Sequence, residues 1–185
     1  MITKIAFICI ALLFTTSFSY GQNKAIVEKV IITGQEGGGT KIVTSDIYFD
    51  VETLRPVFKI VTDSISEIKK YTSYFFIYKG KVRKVIPNIS FEGGLEAWKE
   101  YKIKCYWEKY TGTEMNASCL YVMLFDNNLK IKDIRIISRS GYNNSIFNFD
   151  RLVKEILKSS EGKWNVVQKA KKDEWYFVLG RFKIG

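Results

Sequence analysis

Residues 118–137 read SCLYVMLFDNNLKIKDIRII, two apolar runs separated by Asp126, Asn127 and Asn128. Successive side chains of a strand point to opposite faces. In the first run Leu120, Val122 and Leu124 therefore fall on one side, and Tyr121, Met123 and Phe125 on the other. A strand apolar on both parities is covered on both faces, so the fold must supply packing above and below it. Asp and Asn tolerate turn dihedrals that bulky residues resist, which makes 126–128 the reversal of a hairpin. The returning strand has Ile131 on one parity and Ile134 and Ile136 on the other. A bulge near Asp133, adding one residue and a local twist, would bring the three isoleucines to one face.

Working outward, the segment after the hairpin carries the clearest helix, FDRLVKEILKSS, with Leu152, Val153, Ile156 and Leu157 at helical spacing. Asn148 is placed to cap it, Asp150 suits the positive end of its dipole, and Gly162 stops it. A short strand, a charged loop and a last strand from Trp175 to Ile184 follow. Trp175, Phe177, Leu179 and Arg181 share one face of that strand, and Tyr176, Val178, Phe182 and Ile184 the other. Before the hairpin, SFEGGLEAWKEYKIKCYWEKY predicts a helix begun by Ser90 or by the turn at Gly93 and Gly94, with Gly112 in the connection that follows. Its apolar stripe runs through Leu95, Trp98 and Ile103 to Cys105 or Tyr106. The aromatics Trp98, Tyr101, Tyr106, Trp107 and Tyr110 suit packing of that helix on a sheet better than base stacking, which needs a basic groove. Residues 87–185 thus run helix, strand, strand, helix, strand, a two-layer α+β unit.

The preceding residues, 22–86, read as mostly β. AIVEKVIITG, KIVTSDIYFDV and RPVFKIV are strand candidates, with Pro56 at the start of the third, where a strand proline belongs. GQEGGGT is a flexible turn, lacking the spacing and the Lys-Ser/Thr ending of a phosphate loop. DSISEIKKY suggests one or two helical turns, with Ile65 and Ile68 on one face. YTSYFFIYKG and KVRKVIP form a hairpin that turns at Lys79 to Lys81.

The first 21 residues have the layout of a secretory signal peptide: Lys4, the apolar run Ile5 to Phe14, and small residues Ser19 and Gly21 where a peptidase would read. A spanning helix needs about 17 to 25 apolar residues, and ten separate Lys4 from Thr15. The expectation is cleavage before Gln22, no integral membrane anchor, and a periplasmic or secreted chain. Residues 22–185 carry 28 basic and 19 acidic residues, net +9. The two signs are interleaved, as in KEYKIKCYWEK, and export argues against nucleic acid as a partner. Only KVRK at 81–84 and KAKK at 169–172 are locally one-sided, as solvated turns often are.

The chain has no histidine, which excludes a His-dependent serine or cysteine mechanism. Glu92, Glu96 and Glu100 recur at i,i+4 among Lys99 and Lys102, the pattern of a solvated helix face rather than of a glycosidase pair. Cys105 and Cys119 lack a C-x-x-C spacing, and two sulfurs without histidine make a zinc site improbable. Export permits them to pair, which would stabilise the fold by about 3 kcal/mol if the geometry allows. Two buried free thiols are the alternative, and both stay open. No catalytic residue, metal or cofactor is expected.

In order and spacing, residues 91–184 resemble the C-terminal domain of the TonB energy-transducer family. FEGGLEAWKEY resembles the family's opening motif of an aromatic, a glycine pair and a helix. LYVMLFDNNLKIKDIRII is similar to its hairpin, including the parity change at Ile131, Ile134 and Ile136. FDRLVKEILKSSEGKW resembles its second helix and terminal tryptophan, Trp164, and YFVLGRFKI its last strand. The resemblance implies a non-enzymatic domain whose last strand pairs with an extended segment of an outer-membrane or other envelope protein. Carried over by motif, the edge comprises Trp175, Tyr176, Phe177, Val178, Leu179, Arg181 and Phe182. With neither the family's membrane helix nor its proline-rich linker expected, the implied role is that of a soluble adaptor. The other reading is a structural or self-associating protein, a homodimer for instance, whose strand edge is already covered.

Overall fold

In the computed structural model the described residues are 27–36, 39–65, 69–110, 116–140 and 148–185, so residues 1–21, expected to be a signal peptide, lie outside them. The chain is α+β. Its strands are β1 (Val27–Glu36), β2 (Gly39–Phe49), β3 (Pro56–Ile65), β4 (Lys69–Tyr78), β5 (Lys81–Ile86), β6 (Ile89–Phe91), β7 (Ala117–Phe125), β8 (Ile131–Ser140), β9 (Trp164–Val166) and β10 (Trp175–Ile184). The helices are α1 (Gly94–Lys109) and α2 (Phe149–Lys158). No helix among the described residues is long and apolar enough to cross a membrane.

The opening hairpin is β7–β8, and both faces of β7 are covered. Tyr121, Met123 and Phe125 pack under the helices with Val153, Ile156, Leu157 and Trp98. Val122 and Leu124 pack on the opposite side with Val57, Phe58, Phe76, Val85 and Phe177. The register of β7–β8 shifts between Leu124↔Asp133 and Phe125↔Ile131, leaving Lys132 as the extra residue. This is the bulge that the isoleucine parity demands, and Ile131, Ile134 and Ile136 all meet the helix-side core. A second shift, between Leu120↔Ser138 and Tyr121↔Ile136, leaves Ile137 unpaired in the ladder and wholly buried on the other face.

One sheet takes in eight strands, in the order β1-β2-β3-β4-β5-β10-β7-β8, while β6 and β9 form a separate pair. Residues 27–86 are an antiparallel meander that continues the C-terminal sheet, because β5 joins β10 in parallel. The meander then curls over the second face of β7 and β10: the Phe58 and Tyr74 rings each lie 4.9 Å from that of Phe177. The β2–β3 corner fastens the curl. Asp50 is buried, and its Oδ1 accepts hydrogen bonds from the Glu52 and Thr53 amides and the Thr53 hydroxyl at 3.0–3.1 Å. Burial pushes its carboxyl up, but those hydrogen bonds and the nearby Arg135 outweigh burial and hold it below the usual carboxylate range. From the same corner the Val51 amide donates to the Ile136 carbonyl at 3.4 Å.

Two expectations fail. The described parts of DSISEIKKY are strand rather than helix: Asp63 pairs with Tyr71 and Ile65 with Lys69 in a β3–β4 ladder that begins at Phe58↔Phe76, and residues 66–68 lie outside the described residues. Both of those phenylalanines are fully buried; they set a register that the β-branched run Val61-Thr62 extends, overriding a local i,i+3 pattern. In α1 the stripe is rotated. Trp98 and Tyr106 are buried with Tyr101 and Cys105 beside them, whereas Leu95 and Ile103 are 67% and 50% exposed. The aromatic rings, larger than the aliphatic side chains, choose the face. By contrast, the Lys79–Gly80 turn forms where expected, with φ of 49° and 73°, the two positive values of a two-residue hairpin loop. The Asn148 Oδ1 caps α2 by accepting the Arg151 amide at 2.8 Å.

Candidate functional site

β10 is the strand on which the two halves of the chain meet. On one side it pairs with β7 from Tyr176 to Ile184. On the other side β5 follows it only at Trp175↔Val85 and Tyr176↔Ile86. Pro87 comes next, without an amide donor and with a fixed φ, and the chain leaves the sheet for β6. There Ile89–Phe91 pair with Trp164–Val166 instead. From Phe177 onward the second flank of β10 therefore has no ladder partner among the described strands. Alternate residues of a strand turn both backbone groups to the same side, so about half of this stretch aims its N–H and C=O at the open flank.

An apolar cleft of about 500 Å³ lies along that flank. Phe177, Val178 and Leu179 form its floor, Leu95 and Trp98 of α1 stand on the helix side with Phe91, and Ile60 and Tyr74 stand on the meander side. No ionisable carboxylate or ammonium lines it; the exposed Leu95 stands at its rim. The helix-side wall is a cluster of rings: Phe91 lies 4.9 Å from Trp98, and Trp98 lies 5.1 Å from Trp164. The Trp98 Nε1 donates to the Tyr121 hydroxyl at 3.0 Å.

One helical turn beyond Trp98, Lys102 leans over β10. Its Nζ donates to the Arg181 carbonyl at 2.9 Å and lies 5.2, 5.6 and 5.8 Å from the ring centres of Trp98, Tyr121 and Phe182. Burial, with Lys99 adding to it, lowers its pKa to about 8. The groups below it are neutral: burial pushes the Cys119 thiol up to about 12 and the Tyr121 hydroxyl up as well. Lys102 takes part in none of the ion pairs among the described residues, and its neighbour Lys99 is bound to Glu96 at 2.7 Å.

The other C-terminal edge, β8, is guarded. The Lys158 Nζ donates to the Ile131 carbonyl at 3.0 Å, the Val51 amide reaches Ile136, and Arg135 bridges Asp133 and Asp50. A broader cleft of about 900 Å³ beside β8 and α2 has mixed charge. There Arg139 pairs with the buried Asp150, whose carboxyl burial nonetheless pushes up. Arg139 and Asp150 tie α2 to the sheet.

The residues anticipated on the last strand divide into three groups. Trp175 and Tyr176 are taken up in the β5 ladder, and the Arg83 guanidinium lies 4.1 Å over the Trp175 ring. Phe177, Val178 and Leu179 border the cleft. Arg181 is exposed, with its carbonyl already accepting Lys102, while Phe182 is 1% exposed in the helix-side core and offers no side-chain surface. Cys105 and Cys119 are free thiols, the first half-buried on α1 and the second buried under it. Sequence reasoning missed Lys102, Leu95, Ile60 and Tyr74 at the site. The signal for Lys102 was its place one turn after Trp98, which was read as part of a solvated charged face. A scan of protein-family models and searches of curated proteins and of solved structures find no match to this chain.

Proposed function

We propose that this protein is a non-enzymatic binding or adaptor module of the cell envelope that receives an extended segment of a partner protein along the open flank of β10. The observation that carries the reading is the asymmetry of that strand: paired along its length with β7, yet with β5 only at Trp175 and Tyr176, beside an apolar cleft. Strand addition draws its affinity from backbone hydrogen bonds and its specificity from side-chain pockets, and both are available here. The TonB-like order of elements supports the same assignment, with the partner segment coming from an outer-membrane or other envelope protein. The test is capture of envelope proteins on the immobilised chain, followed by hydrogen exchange of the complex. A bound segment slows exchange at the alternate amides that face the open flank, Phe177 and Leu179 among them, and Leu179→Pro, which removes such a donor and strains the strand, abolishes capture. Undiminished capture by a folded Leu179→Pro variant would sink the idea.

A second reading, self-association, is favoured by β1. It is an outermost strand with no partner on its second side among the described strands, and Val30 and Ile31 on it are exposed. A lysine on such an edge blocks pairing between copies. Under this reading Ile31→Lys converts a dimer to a monomer in sedimentation; a monomeric parent would remove it.

A further inference from the structure

Resting on the strand-edge reading, we infer that the open flank of β10 selects segments that carry a carboxylate. An apolar side chain of the incoming strand fills the cleft beside Val178, Trp98 and Phe91, and an acidic side chain farther along the same face pairs with the Nζ of Lys102.

The argument starts from charge. Lys102 is half-buried among the rings of Trp98, Tyr121 and Phe182, with a backbone carbonyl as its hydrogen-bond partner. A desolvated ammonium is costly unless an anion compensates it, and the titratable neighbours among the described residues do not supply one. Lys99 on α1 is a cation, Cys119 and Tyr121 on β7 are neutral, and Arg181 on β10 is a cation. Among the described residues the cation thus stands uncompensated, beside the Trp98 wall of a cleft that is otherwise apolar. A carboxylate brought there along the strand would supply the missing charge.

Spacing gives the pattern. Residues opposite each other in a paired strand share a face, and that face recurs every second residue, roughly 6.8 Å along. On the helix side β10 presents Val178, then Gly180, then Phe182, and Lys102 binds the carbonyl just before Phe182. An incoming residue opposite Val178 enters the cleft. Residues two and four positions along, opposite Gly180 and Phe182, come beneath Lys102, over the Tyr121 ring that packs against the bare Gly180 backbone. The occupant is therefore an extended segment with an apolar residue and an Asp or Glu two or four positions away, on one face.

Short fluorescent peptides, amidated so that the chain terminus carries no charge, provide the test. Each has one isoleucine and, two or four positions away in either direction, an aspartate, asparagine or lysine; affinity for the full chain is read by fluorescence polarisation at low salt. The best aspartate peptide should bind roughly tenfold tighter than its asparagine twin, as a charge-assisted hydrogen bond implies, and the lysine peptide more weakly than either. Lys102→Met, of similar length and apolar, should abolish the preference, so that the aspartate and asparagine peptides bind alike, and Lys102→Arg should keep it. Equal binding of the aspartate and asparagine peptides, or a preference that survives Lys102→Met, overturns the carboxylate assignment and leaves strand addition standing. Failure of every peptide to bind overturns both.

Discussion

At Gly180 an added methyl group would stand 2.6 Å from the Tyr121 Oη and 2.8 Å from its Cζ. Tyr121 cannot yield, since it is fully buried and its hydroxyl accepts the Trp98 Nε1. Gly180→Ala should therefore cost about 1–3 kcal/mol, the usual scale of overpacking, seen as a lower urea midpoint; an unchanged midpoint would mean that the ring is free to move. The neighbouring Lys102 makes a pH-dependent contribution of definite sign. Its pKa is about 8 when folded against 10.5 ordinarily, chiefly through burial, so between these values the unfolded chain holds the extra proton. Stability then rises with pH across that window and the cost of the buried ammonium is fully present below it. Lys102→Met should be more stable than the parent at pH 7 by a margin that shrinks towards pH 10, measured by urea unfolding at both. A margin that widens with pH would contradict the burial of the charge.

Among the elements, the β4–β5 hairpin shows how a turn sets a register. Lys79 and Gly80 both adopt positive φ, which glycine accepts freely and lysine does not. Lys79→Asn would supply the pair that such turns prefer. Relief of about 1 kcal/mol should appear as a higher melting temperature, and no rise would mean that the strands alone dictate the turn. α2 was legible in the sequence because its cap, its periodicity and its buried face agree. α1 was legible only as a helix. Its charged and apolar residues interleave, so the sequence suggests a stripe through Leu95, Trp98 and Ile103, of which only Trp98 is buried. The sheet chose the aromatic side, and Leu95 was left at the rim of the cleft. The β3–β4 turn misled for a related reason: Ile65 and Ile68 have helical spacing, but the buried pair Phe58 and Phe76 lies far off in sequence and fixes the ladder.

For the whole molecule, the meander and the C-terminal elements share a core. Val57, Phe58, Phe76 and Val85 cover Val122, Leu124, Ile137 and Phe177, so residues 87–185 alone would expose an apolar face. Calorimetry of the full chain should give one cooperative transition, and the fragment 87–185 should aggregate or bind an apolar dye. Two resolved transitions with a folded fragment would refute this shared core. The sequence by itself determined that β7 is covered on both faces, that β8 carries a bulge near Asp133, that the hairpins turn within 79–81 and at 126–128, and that α2 is capped by Asn148. These are local matters, since side-chain parity, turn dihedrals and helical period are all written within a few residues. Only the tertiary structure decided that β5 takes the first two positions of β10, that Pro87 then releases the rest, and that Lys102 stands over the open part. Backbone N–H and C=O groups are alike at every residue, so a strand's pattern can say which face is buried but not which distant strand will take its edge.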